Sequence, residues 1–310
     1  MNEIELIQCL TRSLPTNKSV VVGAGDDCAV LDVGLPDRFL LFKTDAMVEG
    51  IHFTAEAPPQ KVGHKALARC LSDIAAMGGT PNSALITLGL PQKFEAAFVE
   101  NLYTGMGVLA RRYEVAIVGG ETTTNPERMF ISVALLGWAA RGKALLRSGA
   151  EVGDAIFVTG ELGGSRSGKH LEFEPRLKEA QFLAHNLSVH AMIDVSDGLG
   201  TDLRHVLKAS RVGAELLSSS IPVSREARRA AKAESSGKTP LLAALTDGED
   251  FELLFTVASR DAVPALDAWK KRFPSVPLTC IGRITAGDSI TIRDKQGVRP
   301  LTAHGYVHFS

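Results

Sequence analysis

Short apolar runs alternating with helix-length segments predict an α/β (α+β) protein of two domains. Three observations carry this. The runs RFLLFKTDAM (38–47), SALITLGL (83–90), VAIVGG (115–120), MFISVALLGW (129–138), DAIFVTG (154–160), FELLFTV (251–257) and PLTCIGRI (277–284) have strand length, and several end on Gly, Asp or Thr. Between them, 62–79, 94–113, 201–213 and 261–273 carry apolar residues at helical spacing. The length of 310 residues exceeds what one core usually supports, about 250–300 residues.

In order along the chain, MNEIELIQCLTRSL reads as an amphipathic first helix, with acids where a secretory leader carries basic residues. Within 62–79, Ala66, Leu67, Cys70, Leu71, Ile74 and Ala75 share one side, and Asp73 lies at the border of that stripe. The turn-rich RSGAEVGD places a domain boundary near 148–155, giving domains 1–150 and 151–310. The stretch AKAESSGKTP (231–240) reads as an exposed loop of the second half.

Composition narrows the function. Hydrophobic content of 45% and charged content of 22% are those of a folded domain, and a net charge of −1 gives no electrostatic case for nucleic acid or an anionic membrane. No apolar run reaches the ~20 residues of a membrane span. Cys9, Cys28, Cys70 and Cys280 stand alone, with no C-x-x-C pair, and the histidines show no zinc spacing. Reduced thiols in a cytoplasmic protein are the expectation.

The acids are the informative residues. Asp26 and Asp27 follow GAG, Asp45 ends FLLFKTD, Asp73 sits in a helix, Glu121 follows VAIVGG, Asp194 and Asp197 end AMIDVSD, and Glu249 and Asp250 lie in LTDGEDFELLF. Each marks where an apolar element gives way to Gly, Ser or Thr. Any one of them reads equally well as a cap or turn former. As a set converging on one cleft they would repel and raise one another's pKa values unless cations intervene. Mg²⁺ relieves that repulsion, because it takes hard oxygen ligands and bridges carboxylates to phosphates.

In this order, GAGDDCAVL, KTDAMVEGIHF, HKALARCLSDIAAMGG, VGGETT, LLRSGAEVGD, IDVSDGL, DGEDFELLFTV and GYVHF closely resemble the thiamine-monophosphate kinase family, within the superfamily of aminoimidazole ribonucleotide synthetase. The resemblance runs from about residue 20 to the C-terminus. It implies an N-terminal α/β domain that dimerises and a C-terminal α/β domain, in a homodimer that uses ATP and several Mg²⁺ ions to phosphorylate thiamine monophosphate. By motif position it implies Asp27, Thr44, Asp45, Asp73, Glu121, Asp194 and Asp197 as Mg²⁺ ligands. Tyr103, Gly120, Glu121, Arg147 and Ser196 take nucleotide positions, and His52, Glu249 and Tyr306 substrate positions; Arg147 and Asp197 are the catalytic candidates. His52 reads equally as a core histidine, and Tyr306 equally as a ring over the substrate or as tail packing.

Four features depart from the family pattern. Glu121 stands where Asp is usual, Lys43 where a small hydroxyl residue is common, and DGED where GGED is commoner. The segment 163–176 is shortened, which joins GGSRSG to KHL and creates an apparent G-x-x-x-x-G-K. That string is a mimic of a phosphate-binding loop: His170 stands where a Mg²⁺-binding hydroxyl belongs, and Pro175 disturbs the helix that should follow. Glu121 and the short loop also motivate an alternative, a nucleotide-binding paralogue with impaired catalysis or a superfamily member acting on another substrate.

Overall fold

The computed structural model describes residues 3–233 and 237–306. The end of GYVHF and the centre of the 231–240 loop lie outside the described residues. The chain opens with α1 (Glu3–Thr11), then β1 (Val20–Val22), β2 (Ala29–Leu31) and β3 (Arg38–Val48). Next come α2 (Pro59–Ala76), β4 (Thr80–Leu90), α3 (Ala96–Arg112), β5 (Ala116–Thr124) and β6 (Phe130–Ala140). The six strands form one sheet in the order β1-β2-β3-β6-β4-β5. Residues 141–154 contain neither strand nor helix.

The second sheet follows. It takes β7 (Ala155–Thr159), β8 (Val189–Asp194), β9 (Gly213–Leu217), β10 (Leu253–Val257), β11 (Leu278–Thr285), β12 (Ile290–Asp294) and β13 (Gly297–Pro300), in the order β13-β12-β9-β11-β7-β10-β8. Its helices are α4 (Leu177–Asn186), α5 (Leu199–Ser210), α6 (Arg225–Lys232), α7 (Pro240–Thr246) and α8 (Ala262–Arg272). Among the described residues of this sheet, β9 and β12 pair in parallel and the other pairs are antiparallel.

The two sheets are buried differently. On β7, Phe157 joins one core with Phe255, Leu183 and Trp269, while Ile156 and Val158 join another with Leu203, Val206 and Ala244. Both faces of the second sheet are therefore covered, and its central strands read as continuous apolar runs. The first sheet is covered on one face: Leu41, Met47, Ile86, Leu88, Val133 and Leu135 pack toward α2 and α3. On the other face Phe42, Leu85 and Val118 are exposed.

Helix α2 touches both halves. It packs on β3, β4, β6 and α3 of the first sheet's layer and on α4 and β8 of the second. Pro59 opens its first turn, where the missing N–H has no intrahelical use, and Gly78 ends it at φ +65° in the left-handed conformation. A Cβ on Gly63 would lie 1.9 Å from the Leu102 carbonyl oxygen, and one on Gly105 would lie 1.9 Å from that of Gln60. These two glycines let α2 and α3 approach backbone to backbone, which fixes α2 over the sheet.

Candidate active site

Burying α2 between the halves directs four of its side chains at three separate segments, β3, the end of β8 and the DGED loop. Lys65, Arg69, Ser72 and Asp73 fall at helical spacing along one stripe. Lys65 Nζ lies 2.5 Å from Glu249 Oε1, and Arg69 Nε lies 3.2 Å from Asp45 Oδ2. The Ser72 hydroxyl donates to Asp194 Oδ2 at 2.6 Å, and Asp73 Oδ1 meets Lys43 Nζ at 2.9 Å.

Backbone contacts bring the remaining motifs to the same place. The loop after β8 and the DGED loop are clasped together. Glu249 N–H donates to the Ser196 carbonyl at 2.6 Å, and Phe251 N–H to that of Val195 at 2.8 Å. Gly248 and Glu249 adopt φ of +70° and +56°, and a Cβ on Gly248 would lie 2.7 Å from the Ser196 oxygen. Tyr306 N–H donates to the Asp197 carbonyl at 2.9 Å, which ties the C-terminal segment to the same turn. Arg147 ties the linker to GDD: its N–H donates to Asp26 Oδ2 at 3.1 Å and its guanidinium to Asp27 Oδ1 at 2.6 Å.

The result is a cleft of about 220 Å³ lined by Lys43, Asp45, His52, Arg69, Asp73, Arg147, Arg166, Asp194, Ser196, Asp197, Glu249 and Tyr306, among others. At its floor Asp27, Asp73 and Asp194 are buried, each presenting an oxygen within 4.8 Å of the other two. Burial, then the neighbouring Asp27 charge, pushes Asp194 up to about 7. Burial likewise drives Asp73 well above the carboxylate range against the pull of Lys43, and Asp26 rises to about 6. The buried Oδ2 of Asp27 has no hydrogen-bond partner among the described residues. An all-oxygen donor set with an unsatisfied buried oxygen and mutually repelling acids fits a hard divalent cation.

The expected site residues separate into groups. Asp45, Asp73, Arg147, Asp194, Ser196, Asp197, His52, Glu249 and Tyr306 share the cleft, and Asp27 lies beneath Arg147. Thr44 and Glu121 do not join them within one chain. Thr44 registers with Ala134 and Leu85, and Glu121 with Thr87, on the sheet face opposite to α2. Gly120 pairs with Ile86 on the same edge strand, and Tyr103 lies on α3 outside the lining of the cleft. His52 is anchored through Nδ1, which accepts the Val48 N–H at 3.0 Å. The ring of Tyr306 lies 5.0 Å from the Arg166 guanidinium carbon, a cation–π contact.

Several participants escaped the sequence reading. Lys65 is fully buried, and besides Glu249 it donates to the His52 carbonyl at 2.7 Å and lies 2.7 Å from His170 Nδ1. Arg69, Arg166, Asp202 and His205 were also missed, Asp202 and His205 forming a second close group with Asp197. The spacing 65/69/72/73 was the available signal for the α2 residues. As for GGSRSGKH, the amides of Gly163 and Gly164 donate to Asp250 and Asp247, and α4 begins only at Leu177. No amide cradle at a helix start exists there for a phosphate.

Two sheets sharing one buried helix, with an acid-floored cleft between them, define the class of the AIR synthase related proteins. Residues 25–139 match the model of the AIR synthase related protein N-terminal domain, and residues 151–295 that of the C-terminal domain. The thiamine-monophosphate kinase of Rhodopirellula baltica is 44% identical, covering 88% of this chain and 85% of its own length. That of Escherichia coli K12 is 36% identical over 94% and 93%. The solved structure of AaThiL complexed with AMPPCP and TMP superposes with a TM-score of 0.80 at 33% identity, covering 99% of this chain and 97% of the other. The chain belongs to the thiamine-monophosphate kinase family.

Proposed function

We propose that this protein transfers the γ-phosphoryl group of ATP directly to the phosphate of thiamine monophosphate, giving thiamine diphosphate. The observation that carries the site assignment is the convergence of Asp27, Asp45, Asp73, Asp194 and Asp197, from four distant segments, on the cleft that Arg147 also lines. The acceptor phosphate is ionised, so its attacking oxygen needs no general base. The task that remains is to hold two anionic groups in line and offset their charge.

Asp27, Asp73 and Asp194, with Asp45 and Asp197 at the rim, would hold Mg²⁺. When bound, it supplies neutralising charge and a bridge to phosphate oxygens. Arg147 offers a planar fork suited to phosphate, preset by its contact with Asp27. Glu249 and His52, held by the fully buried Lys65, face the acceptor side with Tyr306. Gly120 and Tyr103 are assigned to the nucleotide on motif position.

We further propose a homodimer formed through the open face of the first sheet. Phe42, Leu85 and Val118 expose apolar surface there beside Thr44 and Glu121. A second copy would cover that surface and bring its own cleft toward those residues. The division 1–150 and 151–310 is retained. Among the described residues no helix is long and apolar enough to cross a membrane, and the four cysteines are free, which supports a cytoplasmic setting.

The test is formation of thiamine diphosphate and ADP from thiamine monophosphate, ATP and Mg²⁺, followed by chromatography. Turnover abolished by chelator is the expected outcome. Tight ATP binding at saturating Mg²⁺ with no diphosphate product would instead favour the catalytically impaired paralogue.

A further inference from the structure

Lys43 places an ammonium against the acid cluster assigned above to a metal. It alternates on β3 with Leu41, Asp45 and Met47, so its stem enters the face covered by α2. Its ammonium lies 2.9 Å from Asp73 Oδ1, with the side chain 22% exposed. Charge counting gives its contact meaning. Asp27, Asp73 and Asp194 carry three negative charges when ionised and lie within 4.8 Å of one another. The Arg147 guanidinium is bonded to Asp27 and Lys43 to Asp73, whereas the side-chain hydrogen bond to Asp194 among the described residues comes from the neutral Ser72 hydroxyl. Two protein cations thus offset two of the three acids. The nearby Asp45 is paired with Arg69.

We infer that Lys43 is a tethered cation of this cluster: it holds the acids together without divalent ions and supplies charge that a further Mg²⁺ ion would otherwise bring. The inference rests on the metal reading of the site given above. It has two consequences. The metal-free protein keeps its cleft assembled, because Asp73 is neutralised from within the chain. Mg²⁺ binds the metal-free cluster more weakly than it would without Lys43, since the ammonium both repels the ion and occupies an Asp73 oxygen. Like charges this close in a partly buried site interact strongly enough to move a binding constant by about tenfold or more.

The experiment is calorimetric titration of Mg²⁺ into the nucleotide-free protein, with thermal unfolding in chelator and in Mg²⁺, for wild type, Lys43→Met, Lys43→Arg and Asp73→Asn. Lys43→Met keeps the stem and removes the charge. It should bind Mg²⁺ about tenfold more tightly or take up one additional ion, and its melting temperature should fall in chelator and recover with Mg²⁺. Lys43→Arg keeps the charge and should titrate like wild type. Unchanged or weaker Mg²⁺ binding by Lys43→Met overturns the inference. Should Lys43→Met fail to fold without metal, refolding it at increasing Mg²⁺ gives the same reading, and failure at every Mg²⁺ concentration also overturns it. Asp73→Asn reports on the underlying metal assignment: if it binds Mg²⁺ as wild type does, that assignment fails, whatever Lys43 does.

Discussion

Replacing Lys65 by Met tests whether the helix between the two halves holds the acceptor side of the cleft. Lys65 is fully buried, donates to Glu249 and to the His52 carbonyl, and lies against His170 Nδ1. Removing one partner of a buried ion pair typically costs about 3–5 kcal/mol, because the other charge stays buried without its counter-ion. Glu249 retains His170 at 3.2 Å and Arg166 at 3.6 Å and is 13% exposed, so the low end applies, about 3 kcal/mol. For a chain of this length that is a fall in melting temperature of roughly 5 °C.

The pair also sets an acid limb. Burial alone would raise Glu249, but the His170 and Lys65 contacts outweigh it and hold the carboxyl at about 2, below its ordinary 4.5. On Lys65 the balance goes the other way, and burial outweighs Glu249 to pull the ammonium down to about 8. The Glu249 shift governs at low pH, since it rests on several donors and Lys65 stays charged there. A carboxyl held low contributes stability that is complete above pH 4.5 and is lost as pH falls toward 2, about 3 kcal/mol in all. Lys65→Met should flatten this limb. It should also couple to Glu249→Gln, the double variant being less destabilised than the sum of the singles, and should raise the KM for thiamine monophosphate more than that for ATP. Thermal unfolding from pH 2.5 to 7 and steady-state kinetics read all three. A shift under 1 °C with additive singles would refute the reasoning.

Asp194→Asn, which removes charge from the cluster floor, should lower kcat/KM by about 100-fold or more at saturating Mg²⁺ in a coupled ADP assay; a loss under threefold counts against the metal assignment. Gly63→Ala would set a methyl 1.9 Å from the Leu102 oxygen and force α2 off α3, costing about 3 kcal/mol, read as a lower denaturant midpoint. Glu121 is separated from β3 by β4 and β6, about 14 Å across the sheet, so its action on an acid cluster needs a second copy. Mixing inactive Asp73→Asn and Glu121→Gln subunits should then restore about a quarter of wild-type activity, since half the dimers are mixed and each has one intact site. No recovery would confine Glu121 to another role.

The long elements were legible from local pattern. Helix α2 and strands β3, β4 and β6, of eleven to eighteen residues, carry long apolar patterns, and their ends fall within three residues of the expected bounds. Strands β1, β2, β9, β12 and β13, of three to five residues, were not recognised, because their pairing partners rather than their own sequence make them strands. Helices α4, α6 and α7 were also missed, being short and without a long stripe.

Several of the acids announced themselves by position: Asp194 ends β8 and Asp27, Asp197, Glu249 and Asp250 stand in loops, whereas Asp45 and Glu121 lie inside β3 and β5 and Asp73 inside α2, where residue type alone marked them. Sequence therefore determined the kind of chemistry, hard oxygen ligands beside glycines, because residue type and local turn geometry are local properties. What counters those charges was decided only by the fold. Lys43 on Asp73, Lys65 on Glu249, Arg69 on Asp45 and Arg147 on Asp27 join residues 24 to 184 positions apart. Tertiary structure likewise sent Thr44 and Asp45, neighbours in the chain, to opposite faces of one sheet. Burial and through-space charge depend on which surfaces meet, and no local pattern encodes that.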